Sequence, residues 1–242
     1  MALPKIDVPT YQITIPSSGK EITIRPFLVK EEKMLLMAAQ SKDENEIINT
    51  TKQVINNCIV DGDVNVETLP FFDIDYIFIA LRAKSVGESI DINFTCNNVI
   101  EDGEACGSRF TAKIDISNCE IVKNENIKQE ITLSGSLRLK MKYPSYSIMK
   151  MLNDDELTIE KKIKIIAASV EQVIQKDQVF TSKDFTPAEM QAFIGDLTQE
   201  QFKKLEEYID NFPSFVVTSK AKCSKCEYEH NIRYDNFSSF FF

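Results

Sequence analysis

The apolar positions of this chain change period several times, and each change marks a predicted element. Apolar and polar residues alternate in "YQITI" (11–15) and "EITIR" (21–25) around the turn "PSSGK", which predicts a β-hairpin. "KEEKMLLMAAQ" (30–40) and "DENEIINTTKQVINNCIV" (43–60) have helical spacing, and "DIDYIFIALRAKSVG" (73–87) predicts a third helix that stops at Gly87. Alternation returns in "SIDINFT" (89–95), "RFTAKIDI" (109–116) and "EITLSGSLRLKMKY" (130–143). Beyond Pro144 the period is helical again. "SIMKMLN" (147–153) is a short helix, and "TIEKKIKIIAASVEQVIQK" (158–176) is a long one capped by Thr158. "TPAEMQAFIGDL" (186–197) and "TQEQFKKLEEYIDNF" (198–212) each open on a threonine whose hydroxyl satisfies a free N–H of the first turn. Pro187 at the first helical position and Gln201 three residues after Thr198 strengthen those two starts. "SFVVTSKAK" (214–222) and "EYEHNIRY" (227–234) read as strands, followed by "DNFSSFFF".

The expected fold class is therefore α+β, with helical segments and antiparallel β-hairpins. No repeat and no Pro/Gly-rich linker interrupts the pattern, so the expectation is a single domain over 1–242. Within it we expect a β-hairpin and helices over 1–88 and two cysteine-bearing strand pairs at 89–119 and 214–234. A β and helical insertion fills 120–213, and an aromatic tail covers 235–242.

The strand pairs carry the candidate chemistry. "KAKCSKCEYEHNI" (220–232) holds Cys223 and Cys226 with two residues between them, which is half of a tetrahedral metal site. Cys96 and Cys106, in "TCNNVIEDGEACGSRF", sit in the same strand–cysteine–loop–cysteine–strand frame, although nine residues separate them. Two such hairpins packed face to face bring four thiolates together as in a zinc ribbon, joining 96–106 to 223–226. Zinc suits tetrahedral sulfur and is redox-inert, so the expected site is structural and leaves no open position for catalysis. The alternative is four ordinary strand cysteines. His230 is a rival fourth ligand, but four thiolates already close such a site, and it is expected to be a solvent-exposed strand histidine. Cys58 and Cys119 are expected to serve packing.

Composition narrows the function. With 28 Lys and Arg against 37 Asp and Glu, the net charge of −9 repels phosphate backbones and argues against nucleic acid as a partner. "FFDIDYIFIAL" (71–81) is too short to cross a bilayer, so no membrane association is expected. The opening residues carry no secretory pattern, and the chain is expected to fold in a cytosol, where closely spaced cysteines serve metals more often than disulfides. A single histidine, with no phosphate loop and no nucleophile elbow, leaves no catalytic constellation, so neither an enzyme nor a small-molecule substrate is expected. "DGDVNVETLPFF" (61–72) begins like a calcium loop but puts Val66 where the turn needs Gly and Phe72 where a bidentate Glu belongs. Phe240, Phe241 and Phe242 either fold back on the body or dock on a partner.

"IRPFLVKEEKMLLMAAQ" (24–40), "LRAKSVGE" (81–88), the cysteine-bearing strand pairs and the aromatic tail resemble the baseplate hub subunit family of T-even-type contractile-tailed bacteriophages. The resemblance implies a protein that helps build the central hub of the tail baseplate, as a hub component or an assembly factor. Its expected partners are phage hub, baseplate or tape measure proteins. It would act in the host cytoplasm during assembly and, if retained, in the virion's tail baseplate. A chaperone of the tape measure protein is the nearest alternative, and a cellular zinc-ribbon module that binds nucleic acid is a more distant one.

Overall fold

Strand alternation and helical spacing resolve, in the computed structural model, into an α+β fold with antiparallel sheets. It describes residues 7–100, 103–117, 119–124, 128–149 and 158–234. The aromatic tail, with Phe240, Phe241 and Phe242, and the end of the helix expected at 147–153 lie outside the described residues. In chain order the first elements are β1 (Tyr11–Thr14), β2 (Glu21–Ile24), α1 (Val29–Ser41), α2 (Glu44–Cys58), β3 (Ile59–Asp61) and α3 (Phe71–Ser85). Then come β4 (Ser89–Thr95), β5 (Arg109–Asp115), β6 (Glu120–Val122), β7 (Glu130–Ser134), β8 (Leu137–Met141) and α4 (Tyr146–Met149). The last are α5 (Ile159–Ser169), β9 (Val170–Gln175), β10 (Gln178–Thr181), α6 (Pro187–Gly195), α7 (Gln199–Asp210), β11 (Ser214–Lys222) and β12 (Glu229–Tyr234).

These elements form two compact units. The first comprises 1–66, 72–122 and 214–242. Its β1–β2–β3 sheet is antiparallel, and α3 is buried on nearly every side, as expected of a helix whose apolar residues form no single stripe. Phe72, Ile74, Ile77, Phe78 and Leu81 are all within 2% of full burial. Asp73, buried in the first turn of α3, accepts hydrogen bonds from the backbone N–H of Ser17 (3.0 Å) and from its hydroxyl, which fixes the β1–β2 turn on that helix. The same unit contains the β4–β5 hairpin and the sheet β12–β11–β6, and β5 packs on β11.

The second unit, 67–71 with 123–213, is built on an antiparallel sheet in the order β10–β9–β8–β7. Its core includes Leu139 of β8, Ile165 and Ile166 of α5, Ile194 of α6, and Leu205 of α7. The predicted caps Thr158, Thr186 and Thr198 are all present. Gln201 reaches back to Thr198 as expected, and Glu189, outside the sequence expectation, does the same for Thr186. The main segment of this unit leaves the first after β6 and returns at β11, where Ser214 pairs with Val122.

The long helix expected over 158–176 is corrected. It stops at Ser169, and the chain continues as β9, turns at Lys176 and returns as β10. "VEQVIQ" fits both periods, and pairing with β8 (Lys140 opposite Gln172, Met141 opposite Val170) decides for the strand.

Candidate metal centre

Each of two hairpins ends in a turn that presents sulfur. Thr95 pairs with Arg109 at the end of β4–β5, and Lys222 pairs with Glu229 at the end of β11–β12. The bonds that close the two turns are the same. Cys96 donates its N–H to the carbonyl of Ser108 (2.8 Å), and Cys223 donates to Tyr228 (2.9 Å), in each case two residues past the second cysteine. In return, Gly107 N–H donates to Cys96 O (3.0 Å) and Glu227 N–H donates to Cys223 O (3.0 Å). Gly107 and Glu227, each just after the second cysteine, both take left-handed backbone conformations, with φ of 62° and 59°.

The wide spacing of the first pair is therefore an excursion within an ordinary knuckle. Val99 pairs with Ala105, Ile100 N–H donates to Glu104 O (2.9 Å), and Cys106 N–H donates to Asn98 O (2.7 Å), which closes the extra residues onto themselves. Sequence spacing hides this because it counts residues, whereas the knuckle needs only that Cys96 and Cys106 begin and end the turn.

The four sulfurs of Cys96, Cys106, Cys223 and Cys226 lie within 4.8 Å of one another. Cys96 Sγ is 3.6 Å from Cys226 Sγ, and Cys106 Sγ is 4.0 Å from Cys223 Sγ. A tetrahedron with metal–sulfur distances of about 2.3 Å has edges of about 3.8 Å, so these separations suit four thiolates around one ion. Three of the cysteines are buried and Cys226 is half-buried, with Ile100 and Phe110 packed against the group.

Electrostatics divides the four. Backbone N–H groups of Cys226 and Lys225 point at Cys223 Sγ (3.4 Å from Lys225) and pull that thiol down to about 6. The Tyr228 N–H lowers Cys226 in the same way, and Asn98 Nδ2 donates to its sulfur at 3.7 Å. Burial pushes Cys96 up to about 12. The knuckle at 223–226 thus offers thiolates readily, and a cation is what would draw the proton from Cys96. Cys58 and Cys119 lie outside the group, and burial pushes each up to about 11, which keeps them neutral thiols.

The expectation for His230 is corrected. It is half-buried on β12, stacked on Phe110 (5.6 Å between ring centres) and edge-on to Tyr228 (4.8 Å), with Nε2 3.2 Å from Cys96 Sγ. Strand alternation puts it in phase with buried Ile232, a signal that the reading of an exposed histidine passed over.

A model of the T4 bacteriophage base plate protein family matches residues 8–242. The chain belongs to this family. No curated protein and no solved structure is significantly similar to it. Membership in this family makes it a T4-type phage baseplate protein, and such a protein interacts with other phage structural proteins. Among the described residues of this baseplate protein, no helix is long and apolar enough to cross a membrane.

Glu227 provides a small test of the knuckle geometry. A non-glycine residue at φ 59° costs about 1 kcal/mol, and the ion pair from Lys222 (3.2 Å) is exposed and worth little. Glu227→Gly is expected to stabilise the protein by about 0.5–1 kcal/mol in urea denaturation. Destabilisation would mean that the turn does not require the left-handed conformation.

Proposed function

We propose that this baseplate protein is a component of the central hub or a factor used in building it, a non-enzymatic interaction protein stapled by one structural zinc. The likeness of 24–40 and 81–88 to the hub subunit family, within a baseplate family match over 8–242, carries the hub reading. The four sulfurs carry the zinc reading: Cys96, Cys106, Cys223 and Cys226 would hold the ion in a closed set with no position left for substrate. Zinc's part would be to tie the β4–β5 hairpin to β11–β12. The acidic surface disfavours nucleic acid and leaves protein as the partner.

Cross-linking during assembly in infected cells, followed by mass spectrometry, tests the hub role. Links from this chain to hub or tape measure proteins support it, and links confined to peripheral baseplate proteins overturn it. Mass spectrometry of purified virions then separates a retained component from an assembly factor that acts in the host cytoplasm.

Phe240, Phe241 and Phe242 are proposed to bind that partner. Burying one phenylalanine contributes roughly 1.5–3 kcal/mol, so three would supply much of a micromolar affinity even after association costs. Deleting residues 237–242 is expected to leave folding and zinc content intact and to weaken capture of a purified hub or tape measure partner at least tenfold. An unfolded deletion variant would make the phenylalanines core residues, and unchanged capture would remove them from the interface.

A further inference from the structure

Four thiolates around one divalent cation leave a formal charge of about −2 in a mostly buried site, so the sulfurs need donors around them. The backbone supplies some: Lys225 N–H to Cys223 (3.4 Å), Asn98 N–H to Cys96 and Tyr228 N–H to Cys226. Asn98 Nδ2 serves Cys226 at 3.7 Å. Cys96, 1% exposed, has in addition an imidazole nitrogen at 3.2 Å.

His230 has two possible places, on the metal or behind a ligand. Among the described residues, the group of donor atoms lying within 4.8 Å of one another consists of the four sulfurs and does not include the His230 nitrogens. A nitrogen and a sulfur bound to one tetrahedral zinc would lie about 3.5 Å apart, a length that N–H···S hydrogen bonds share. The 3.2 Å contact thus fits both places, and it is the absence of the imidazole from the sulfur group that favours the place behind Cys96. The ring is also held: Phe110 stacks on its face at 5.6 Å and 30°, and Tyr228 meets it at 4.8 Å and 74°. A residue so clamped keeps its donor aimed at one sulfur without loss of rotamer freedom when metal binds.

We infer that His230 is a positioning residue of the metal centre, donating Nε2–H to the Cys96 thiolate from outside the coordination shell and slowing release of the metal. This rests on the zinc reading above. The hydrogen bond withdraws charge from Cys96, which among the described residues has no side-chain amide donor of the kind Asn98 gives Cys226. It makes that thiolate harder to protonate and to displace.

The test uses the full chain, with His230→Phe keeping a flat apolar ring against Phe110 and His230→Gln keeping an N–H donor of similar reach. Circular dichroism checks the fold of each. Zinc transfer to a competing chelator and the thiolate-to-metal charge-transfer band of the cobalt(II)-substituted protein are then measured. Wild type and both variants are expected to hold about one metal per chain. His230→Phe should bind zinc about 10–100-fold more weakly, with its charge-transfer band moved to lower energy, and His230→Gln should recover at least part of both changes. A His230→Phe protein equal to wild type in affinity and spectrum overturns the inference. So does equal loss in the two variants, which would make the role one of packing. Loss of the intense tetrahedral cobalt bands in His230→Phe also overturns it, because the histidine would then be a ligand. A wild-type protein that holds no metal overturns the zinc reading itself, an outcome distinct from the other three.

Discussion

The Cys96→Ser, Cys223→Ser double variant is expected to carry no zinc and to lose the ordered ribbon, while Cys58→Ser keeps about one zinc per chain. Structural zinc contributes about 10–16 kcal/mol in zinc-finger peptides, as much as the whole stability of a typical domain. Here the first unit also has a core along α3, with Phe72, Phe78 and Leu81 buried, so part of its structure has support of its own. The hairpins β4–β5 and β11–β12 depend more on the staple, because both end at the sulfur cluster. The expected loss is about 5 kcal/mol or more in urea denaturation. A chelator should reproduce that loss in wild type and do nothing further to the double variant, which separates the metal from side-chain packing. Cys58 is fully buried but distant from this chemistry, so a serine there costs about 1–3 kcal/mol for the hydroxyl and leaves the metal in place. Full metal retention by the double variant would mean that these four cysteines are not the metal's ligands.

Parts of the molecule governed by local chemistry were legible in the sequence. Thr186–Pro187 and Thr198 with Gln201 mark their helices because a cap is decided within four residues. The Cys223–Cys226 knuckle is legible for the same reason. What escaped depends on pairing across the chain. β9 looks helical until β8 is beside it, and the turn at Lys176 (φ 54°) has none of the Gly or Asn that usually signals a hairpin. The inward phase of His230 was legible beside Ile232, but its stacking on Phe110, on another hairpin, was not.

The two stretches on which the proposed hub reading rests, 24–40 and 81–88, have a physical connection. Phe27, in the first, donates its N–H to Ser85 Oγ in the second at 2.9 Å. Lys84 and Glu88 of the second form an ion pair at 2.8 Å across the end of α3. Arg25 and Glu31 of the first pair at 2.9 Å, where β2 leads into α1. The Phe27–Ser85 bond thus fastens the approach to α1 onto the end of α3, and the two ion pairs brace each stretch locally. Both stretches lie in the first unit, as the ribbon does.

Glu31→Ala is accordingly expected to destabilise the protein by about 3 kcal/mol, although Glu31 is not among the residues around the metal centre. Its side chain is fully buried, and both carboxylate oxygens are engaged: one with Arg25, the other with the N–H of Leu28 (2.8 Å) at the start of α1. Removing it strands a guanidinium that is only 16% exposed and frees a helix N-terminus from its anion. The loss stays at the low end for a broken buried pair because Arg25 keeps the carbonyls of Pro26 (2.9 Å) and Asn57 (3.0 Å). Glu31→Gln retains an acceptor but no charge, and should cost about 1–2 kcal/mol. Burial alone would raise the Glu31 carboxyl, but hydrogen bonds from Arg25 and Leu28 and the charges of Arg25 and Lys30 outweigh it and hold the group below its ordinary value of 4.5. A depressed carboxyl stabilises the fold above the unfolded value and loses that contribution as pH falls through the folded one. The gap between wild type and Glu31→Gln in urea denaturation should therefore be constant above about pH 5 and shrink below about pH 4.5. A gap that stays the same down to about pH 3 would show that the carboxylate's charge does not hold α1 in place, leaving its hydrogen bond to Leu28 as the whole of its contribution.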